Sequence, residues 1–386
     1  FTTHEIETCI DCGATVANLK KTIGWRPYAY IADYRAEKDY DGYIDNERMQ
    51  VNVYPTDLEN STAPVDSGNN FLVSAYQGQI LRLNSNSGEG FNFTRIRNDL
   101  PFPGGYIEDS LIGRSIVPGW QDLTAHDERA PEISLFSEQR SDVLLATLRN
   151  IDQEKLKVGS ENLQQPAVIA AWDSLAEILG RTITLIEDIE PSELSVGKKL
   201  WRRTGENGEQ VVNWSAFIID TLDNGAGYSS KYSSSEAFKR LLDHAENTFI
   251  GDLKQGLHES VCTSSCYKCL RSYYNRFTHG NLDWRLGYDL LRLLKDENAA
   301  IDLQQGWWNR FVFETLFTRL NELTGNRFAV KNSSAGKIFV SKDSALLPLH
   351  PLLVEHFSQI VIQRNVEREL GIPKVQFLDI MNFERA

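Results

Sequence analysis

The sequence contains no apolar run that approaches the roughly eighteen consecutive residues of a membrane-spanning helix, and no charged-then-apolar secretion signal stands at its start. Cysteine is also scarce. The five cysteines in 386 residues are an odd number, unlike the dense, paired cysteines of a disulfide framework. These absences argue against membrane-spanning and disulfide-stapled proteins, and they predict a cytoplasmic chain without a membrane partner.

Basic residues are fewer than acidic residues in the sequence. The chain has 40 lysines and arginines against 53 acidic residues, which gives a net charge of −13 at pH 7. Long-range attraction to phosphates follows the summed field of a protein, so the chain as a whole does not attract nucleic acid. Any contact with DNA must therefore come from a local basic patch.

Motifs for catalysis are missing as well. The glycine-rich turn 220–230, which carries Gly225 and Gly227, has neither the Gly-Lys-Ser/Thr of a phosphate-binding loop nor the third glycine of a dinucleotide site. No Walker A lysine, DEAH box or nuclease-like group of spaced acids occurs in the sequence. We predict that this turn only packs a strand against a helix, and that the chain alone does not hydrolyse ATP.

Hydrophobic periodicity predicts a multi-domain chain of mixed α/β (α+β) class. The predicted domains are a β-rich leading region at 1–160, a zinc-knuckle α/β domain at 161–300 and a small α/β tail at 301–386. The predicted strands are Gln50–Tyr54, Gln79–Leu83, Phe91–Phe93, Ser141–Thr147, Arg181–Ile186, Val211–Asp220, Arg327–Lys331 and Lys337–Ser341. The predicted helices are Pro166–Gly180, a helix that begins at the capping box Ser233–Glu236 and ends at Leu253, Leu282–Leu294 and Trp308–Leu323. An apolar segment broken by prolines, Leu347–Leu353, follows the last helix.

Three of the cysteines, Cys262, Cys266 and Cys269, stand at C-x3-C-x2-C spacing, and this spacing predicts a zinc site. Short spacings of this kind let a tight backbone turn, called here the knuckle, point two or three sulfurs at one Zn²⁺ ion. Two histidines can supply the fourth ligand. His279, ten residues after the triad, is favoured by its position just before a helix, and His258, four residues ahead of it, is the alternative.

A Cys3His site is closed, because four protein ligands leave no position for an activated water. Its expected role is structural. A zinc deaminase would need H-x-E followed by P-C-x-x-C, whereas the sequence has His258 directly before Glu259, and Ser265 where the proline belongs.

The other cysteine pair, Cys9 and Cys12, has the C-x2-C spacing of half a zinc ribbon. The other half of a ribbon is missing from the sequence, unless His4 or residues of a neighbouring chain serve as the remaining ligands. Since the sequence also begins at Phe1 rather than at methionine, we expect the chain to be a piece of a larger protein.

Cations and aromatic residues alternate directly after the triad, at Arg271, Tyr273, Tyr274 and Arg276. Such a strip can hold a phosphate backbone and stack a base, which makes these four residues the candidate nucleic-acid site. In the alternative interpretation the tyrosines pack under the knuckle and the arginines pair with acids such as Asp283.

Several stretches together resemble the MrfA-type zinc-binding domain of large bacterial superfamily 2 helicases. They are the strand and turn Ile219–Tyr228, the knuckle Cys262–Leu270, and the pattern Tyr274-Asn275, His279 and Leu282-Asp283-x-Arg285 that opens a helix. Looser similarity extends over about 166–300, and His350-Pro-Leu resembles a further segment of the same group.

Relatives of this type include antiphage defence proteins of the Druantia and DISARM kinds, and the resemblance implies work on DNA driven by ATP. With no motor motif in the sequence, the implied role is the zinc-binding, DNA-engaging C-terminal portion of a helicase-like defence protein, or its non-motor partner. The helicase motor would then lie in the same parent chain or in a partner subunit. The alternative is a scaffold that docks other proteins and has little direct contact with DNA, and the acidic net charge favours it.

Overall fold

The fold combines sheets and helices, as the mixed α+β prediction requires. The computed structural model describes residues 23–26, 51–56, 65–95, 105–109, 129–159, 162–204, 208, 210–255, 258–354, 357–372 and 374–381. Cys9 and Cys12 lie outside these residues. The described residues form two compact units, one from 23–26, 51–56, 77–95, 105–109 and 129–141, and the other from 65–76 and 142–381.

The first unit is built on strand pairs. Strand β1 (Ile23–Trp25) runs parallel to the start of β7 (Arg129–Leu148), and β2 (Asn52–Thr56) is antiparallel to residues 79–83 of β4 (Phe71–Asn84). β5 (Phe91–Arg95) pairs with β7 and with β6 (Tyr106–Glu108). The aromatic ring of Trp25 lies 5.3 Å from that of Phe93 and 4.7 Å from that of Tyr106. The strands predicted near residues 50, 80 and 91 are therefore present, with shifted bounds.

The second unit is organised around helix α1 (Pro166–Glu187), which is buried along most of its length. It packs against the antiparallel hairpin of β8 (Leu194–Thr204) and β9 (Gln210–Asp220), whose second strand pairs with residues 143–146 of β7. β3 (Val65–Ser67) pairs with the start of β4. A helix of small and apolar residues that is buried on nearly every side is typical of a core helix. This helix positions the site described below.

The sequence prediction of a helix end at Gly180 and a strand at Arg181–Ile186 is wrong. The helix continues to Glu187 and ends at Asp188, whose backbone is left-handed with φ 54°. Gly180 is a packing glycine rather than a stop signal, since a β-carbon there would lie 2.6 Å from a methyl group of Val196 on β8. The polar residues of the alternating pattern are satisfied inside the helix, because the Thr182 hydroxyl donates to the Ile178 carbonyl at 2.7 Å.

The turn after β9 is filled by the carboxylate of Asp220, which is fully buried. It accepts hydrogen bonds from the backbone N–H groups of Ala226, Tyr228 and Ser229 at 2.9–3.0 Å. These amides are thereby committed within the protein, in agreement with a packing turn rather than a phosphate-binding loop.

Helix α2 (Ser235–His244) begins one residue later than its predicted capping box. The cap is Ser234, whose hydroxyl accepts from the Ala237 N–H at 3.3 Å, so the Ser233–Glu236 box is wrong. The helix continues through a π-helical turn (Ala245–Ile250) and a last α-helical turn (Gly251–Leu253).

Helix α3 (Trp284–Lys295) crosses α1 at a close approach made possible by Gly287. A β-carbon at Gly287 would lie 2.9 Å from the carbonyl carbon of Ser174 and 2.7 Å from Cδ1 of Ile178. We expect Gly287→Ala to lower the free energy of unfolding by about 1–3 kcal/mol, because overpacking outweighs the higher helix propensity of alanine.

The matched control is Gly306→Ala, at the start of the next helix, where an added β-carbon meets no atom within 4 Å. Urea unfolding should leave this variant within about 0.5 kcal/mol of the wild type. Equal stability of the two variants would contradict the close helix crossing.

The C-terminal part begins with helix α4 (Gly306–Arg310), which continues through a π-helical turn (Phe311–Leu316) into α5 (Phe317–Thr324) and ends at a left-handed Gly325. A four-stranded sheet follows, in the order β10 (Ala329–Ser333), β11 (Gly336–Val340), β12 (Ala345–Leu349) and β13 (Val375–Asp379). Helix α6 (Phe357–Leu370) connects the parallel strands β12 and β13.

The segment predicted as proline-broken contains strand β12. Proline has no backbone N–H to donate, but Pro348 is tolerated in β12 because β11 pairs only with Ala345 and Leu346. No hydrogen bond between β11 and β12 is therefore lost at Pro348. Just after the strand, His350 is buried with its Nε2 2.9 Å from the Asp289 carboxylate, which also accepts from the Trp308 indole at 2.7 Å. This network connects the C-terminal sheet to α3. Within the described residues, no helix is both long and apolar enough to cross a membrane.

Candidate metal centre

The three predicted cysteines converge on one point, together with His258. A single helical turn (His258–Val261) places His258 and Cys262 on the same side, because residues four apart face each other on a helix. Cys266 and Cys269 follow on a tight turn. The four potential ligand atoms all lie within 4.8 Å of one another, so these residues form a possible metal-binding group.

The sulfur geometry matches a shared ion rather than a disulfide. The sulfurs of Cys262 and Cys269 are 3.9 Å apart. A disulfide needs about 2.05 Å, whereas tetrahedral coordination with metal–sulfur bonds of about 2.3 Å separates two sulfurs by about 3.8 Å. The turn itself has the bonds of a metal-binding knuckle, since the Cys266 N–H donates to the Cys269 sulfur at 3.0 Å and the Arg271 N–H donates to the Cys266 carbonyl at 3.0 Å.

The electrostatics favour a cation at this point. Hydrogen bonds from the Cys262 thiol and from the backbone N–H groups of Cys266 and Leu270, together with the neighbouring imidazole of His258, lower the pKa of Cys269 to about 4. The pKa of Cys262 is raised by its hydrogen bond to Cys269, by burial and by the negative charge of its neighbours. Without an ion the negative charge of the cluster is concentrated on one thiolate. A divalent cation would stabilise the thiolate forms of the other two cysteines as well.

The imidazole of His258 is oriented by a second contact. Its Nδ1 lies 3.1 Å from the Leu253 carbonyl, so this nitrogen carries the proton and Nε2 is the basic nitrogen. The ring also packs edge-to-face on Trp284, with centroids 5.8 Å apart. A backbone carbonyl on one ring nitrogen is the usual support for a metal-binding histidine.

His279, the histidine favoured from the sequence, lies outside the cluster. Its Nε2 is 3.0 Å from the Ser272 carbonyl and 2.9 Å from Oδ1 of Asn275, so it organises the chain that follows the knuckle. Burial lowers its pKa. The structure therefore corrects the histidine of the cluster from His279 to His258. The signal that could have found it is the four-residue step from His258 to Cys262, which puts both on one helical face.

A buried ion pair connects the knuckle to α3. The guanidinium of Arg285 contacts both oxygens of the Asp283 carboxylate, at 3.0 and 2.7 Å, and Arg285 also donates to the Thr263 carbonyl between the first two cysteines. Arg285 lies over the ring of Phe311, 3.4 Å from its centroid. Asp283 in addition caps α3 by accepting from the Arg285 N–H at 2.9 Å. In the described residues the partner of Asp283 is thus Arg285, not an arginine of the strip.

The predicted nucleic-acid residues form a strip after the knuckle, in which Tyr273 and Tyr274 are exposed and Arg271 and Arg276 are half-buried. The side chains of Tyr273 and Tyr274 are 65% and 69% exposed, so they do not pack under the knuckle in this chain. Arg276 lies over Tyr273 at 4.5 Å and over Phe277 at 4.4 Å. The Arg271 side chain bonds back to the knuckle, since its Nε donates to the Ser265 hydroxyl at 2.9 Å.

Helix α1 holds this strip in place. Arg181 donates to the Arg271 carbonyl at 2.9 Å, and the Asp283 N–H donates to the Ser174 hydroxyl at 2.7 Å. Glu177, one helical turn before Arg181, is hydrogen-bonded to Asn275. The strip is therefore hydrogen-bonded to helix α1, and it comes directly after the knuckle in the chain.

The buried carboxyl of Glu177 predicts a pH-dependent stability. Burial raises its pKa from 4.5 to about 7, against the opposing effects of Asn275 and Arg181. The folded state holds this proton more tightly than the unfolded state, so the stabilising contribution is complete below pH 4.5 and is lost as the pH rises toward 7. It amounts to up to about 3 kcal/mol.

Glu177→Gln does not titrate, so its stability relative to the wild type should rise between pH 5 and pH 8. The measurement is urea unfolding of both proteins at the two pH values with the same added Zn²⁺, so that metal loss at low pH cancels in the difference. A constant difference across this range would contradict the raised pKa.

The fold and the site define the class: a mixed α+β protein with a possible metal-binding group of one histidine and three cysteines. No protein-family model and no curated protein matches the chain. Among solved structures the chain is similar to a crystal structure of the DUF1998 helicase MrfA bound to DNA, with 11% sequence identity and a TM-score of 0.32. The match covers 64% of this chain and 24% of that chain, so it spans about a quarter of the helicase. In this comparison, helicase and DNA are words that apply to MrfA alone.

Proposed function

We propose that the chain is the zinc-binding, DNA-engaging part of an ATP-dependent helicase-like protein, either its C-terminal portion or a non-motor partner. One observation carries the proposal: a knuckle with a possible metal-binding group is followed by a strip of exposed tyrosines and half-buried arginines, anchored on α1. A rigid platform presents side chains to a ligand with little ordering cost. The role in bacterial phage defence comes from the sequence resemblance alone.

Zinc is the metal that fits the donors. Three thiolates and an imidazole at tetrahedral separations suit Zn²⁺, while Mg²⁺ and Ca²⁺ prefer oxygen ligands. His258, Cys262, Cys266 and Cys269 would hold the ion, and with all four positions taken by protein it supplies structure rather than an activated water. A helicase motor domain elsewhere in the parent protein, or in a partner subunit, would hydrolyse the ATP.

The strip offers two kinds of contact with DNA. Arg271 and Arg276 can pair with phosphates, and Tyr273 and Tyr274 present exposed rings on which bases can stack. The net charge of −13 confines the attraction to this local surface. Tyrosine rings contribute mainly to binding of single strands, whose bases are free to stack.

The test is binding of short single-stranded and duplex DNA by the zinc-loaded chain at several salt concentrations. Replacing Arg276 with alanine should weaken binding similarly across sequences and lower the salt slope by about one unit, and Arg271→Ala should do the same. Tyr274→Ala should cost about 1–3 kcal/mol with single strands. The charge-matched control is Arg240→Ala, because Arg240 is an exposed arginine on α2 that pairs with Glu236.

A protein-docking scaffold is the second candidate, because tyrosine and arginine are also the residues enriched at protein interfaces. The acidic net charge favours it. DNA affinity that stays unchanged at two salt concentrations in the Arg271→Ala, Arg276→Ala double variant, with its zinc retained, would favour the scaffold over the DNA-engaging function.

A further inference from the structure

A small cavity opens beside the strip, between α1, the start of β8 and the residues after the knuckle. Its volume is about 110 Å³. Its polar wall consists of Glu177, Arg181, Thr184, Ser195 and Asn275, and Tyr274 stands at its edge. It is distinct from the metal centre, since none of the four candidate ligands lines it.

The size of the cavity limits what can enter it. Sites for drug-sized ligands start at about 300 Å³, whereas one water needs only about 10–15 Å³. The space beside the strip therefore suits a single planar ring, not a whole nucleotide.

The chemistry of the wall favours a neutral ring with both donors and acceptors. Arg181 donates to the Arg271 carbonyl at 2.9 Å, and the Glu177 carboxyl is hydrogen-bonded to Asn275, so both charged groups of the wall are engaged within the protein rather than held for an ionic ligand. The Asn275 amide is engaged by Leu270, Ser272 and His279, and the Thr184 hydroxyl donates to the Arg181 carbonyl. The Ser195 hydroxyl can donate or accept toward the cavity, and the Thr184 oxygen can still accept. An unpaired nucleobase has this combination of ring, donors and acceptors along its edge.

We propose that the cavity receives one unpaired base of a DNA single strand whose neighbouring bases stack on Tyr273 and Tyr274. The inference rests on the proposed function, because the strip must first hold the strand. Tyr274 both lines the cavity and is exposed to solvent, so a strand lying on the strip has one base at the mouth of the cavity. Base-sized pockets next to aromatic side chains are a common means of reading unstacked bases.

The experiment scans a single abasic nucleotide along a short single-stranded DNA and measures its affinity for the zinc-loaded full chain. We expect one position at which losing the base weakens binding by about 5- to 100-fold, the range of one stacked or enclosed base. Ser195→Phe and the smaller Ser195→Leu fill the cavity. Both variants should bind intact DNA as weakly as the wild type binds the strand whose abasic nucleotide lies at the sensitive position. In both variants the affinity should no longer depend on where the abasic nucleotide lies.

The control is Ser233→Phe, which adds the same ring at an exposed position before α2 and should keep the wild-type pattern. If the wild type binds DNA but is insensitive to every abasic position, or if both cavity-filling variants keep its pattern, the base pocket is excluded and the proposed function stands. If the wild type binds no DNA at all, the proposed function fails and the pocket fails with it.

Discussion

Removing the metal is expected to lower the free energy of unfolding by about 10 kcal/mol, the apparent contribution of zinc in small zinc modules. The sulfurs of Cys262 and Cys269 are buried and 3.9 Å apart, and both residues belong to the main hydrophobic core. Without the ion, this core would retain the buried Cys269 thiolate with no cation to balance its charge. Because whole domains are stable by only about 5–15 kcal/mol, we expect the chelated protein to lose the organisation of this region.

The measurement combines elemental analysis with thermal unfolding before and after chelation. Cys266→Ser should lose one zinc ion per chain relative to the wild type, which separates this site from any ion bound at Cys9 and Cys12. The two histidines give a matched pair: His258→Asn should lose the same ion, and His279→Asn should keep it. The site is refuted by freshly purified protein without zinc, and the ligand set is refuted if His279→Asn loses the ion while His258→Asn retains it.

The cysteine triad could be predicted from the sequence because short spacing forces the sulfurs together in almost any fold. The histidine could be chosen only by also predicting the helical turn His258–Val261. A residue ten positions after the triad and one four positions before it both reach the sulfurs from a flexible chain, and only the folded path separates them. His279 lies within a 3-10 helical stretch (Arg276–Asn281) that turns its ring toward Asn275, while one helical turn carries His258 to the sulfurs.

Long-range packing accounts for the other differences between sequence and structure. Alternation at residues 181–186 predicts a strand, but the residues before them already form a helix that β8 and α3 bury, and this tertiary packing overrides the local pattern. β8 was not predicted, because its run of lysines and arginines at residues 198–203 hides an alternation that only its pairing with β9 makes clear. The exposure of Tyr273 and Tyr274 likewise depends on where α1 holds the strip.

Replacing Arg285 with methionine is expected to lower the free energy of unfolding by about 3–5 kcal/mol, because it leaves the Asp283 carboxylate buried without its charge partner. The side chains of Arg285 and Asp283 are only 2% and 3% exposed, and they are 2.7 Å apart at their closest. The loss extends to the knuckle, since the hydrogen bond to the Thr263 carbonyl disappears with the guanidinium. We therefore expect the variant to release zinc at a lower chelator concentration than the wild type.

The control and a second variant separate this effect from a general loss of arginine. Arg240→Met removes an arginine from an exposed pair with Glu236 and should cost less than about 1 kcal/mol, since water screens that pair. Adding Asp283→Asn to Arg285→Met removes the uncompensated charge but keeps a side chain able to cap α3, so the double variant should be more stable than Arg285→Met alone. If Arg285→Met costs no more than Arg240→Met, the buried pair does not connect the knuckle to α3 energetically, and the stiffness of the strip must come from its contacts with α1.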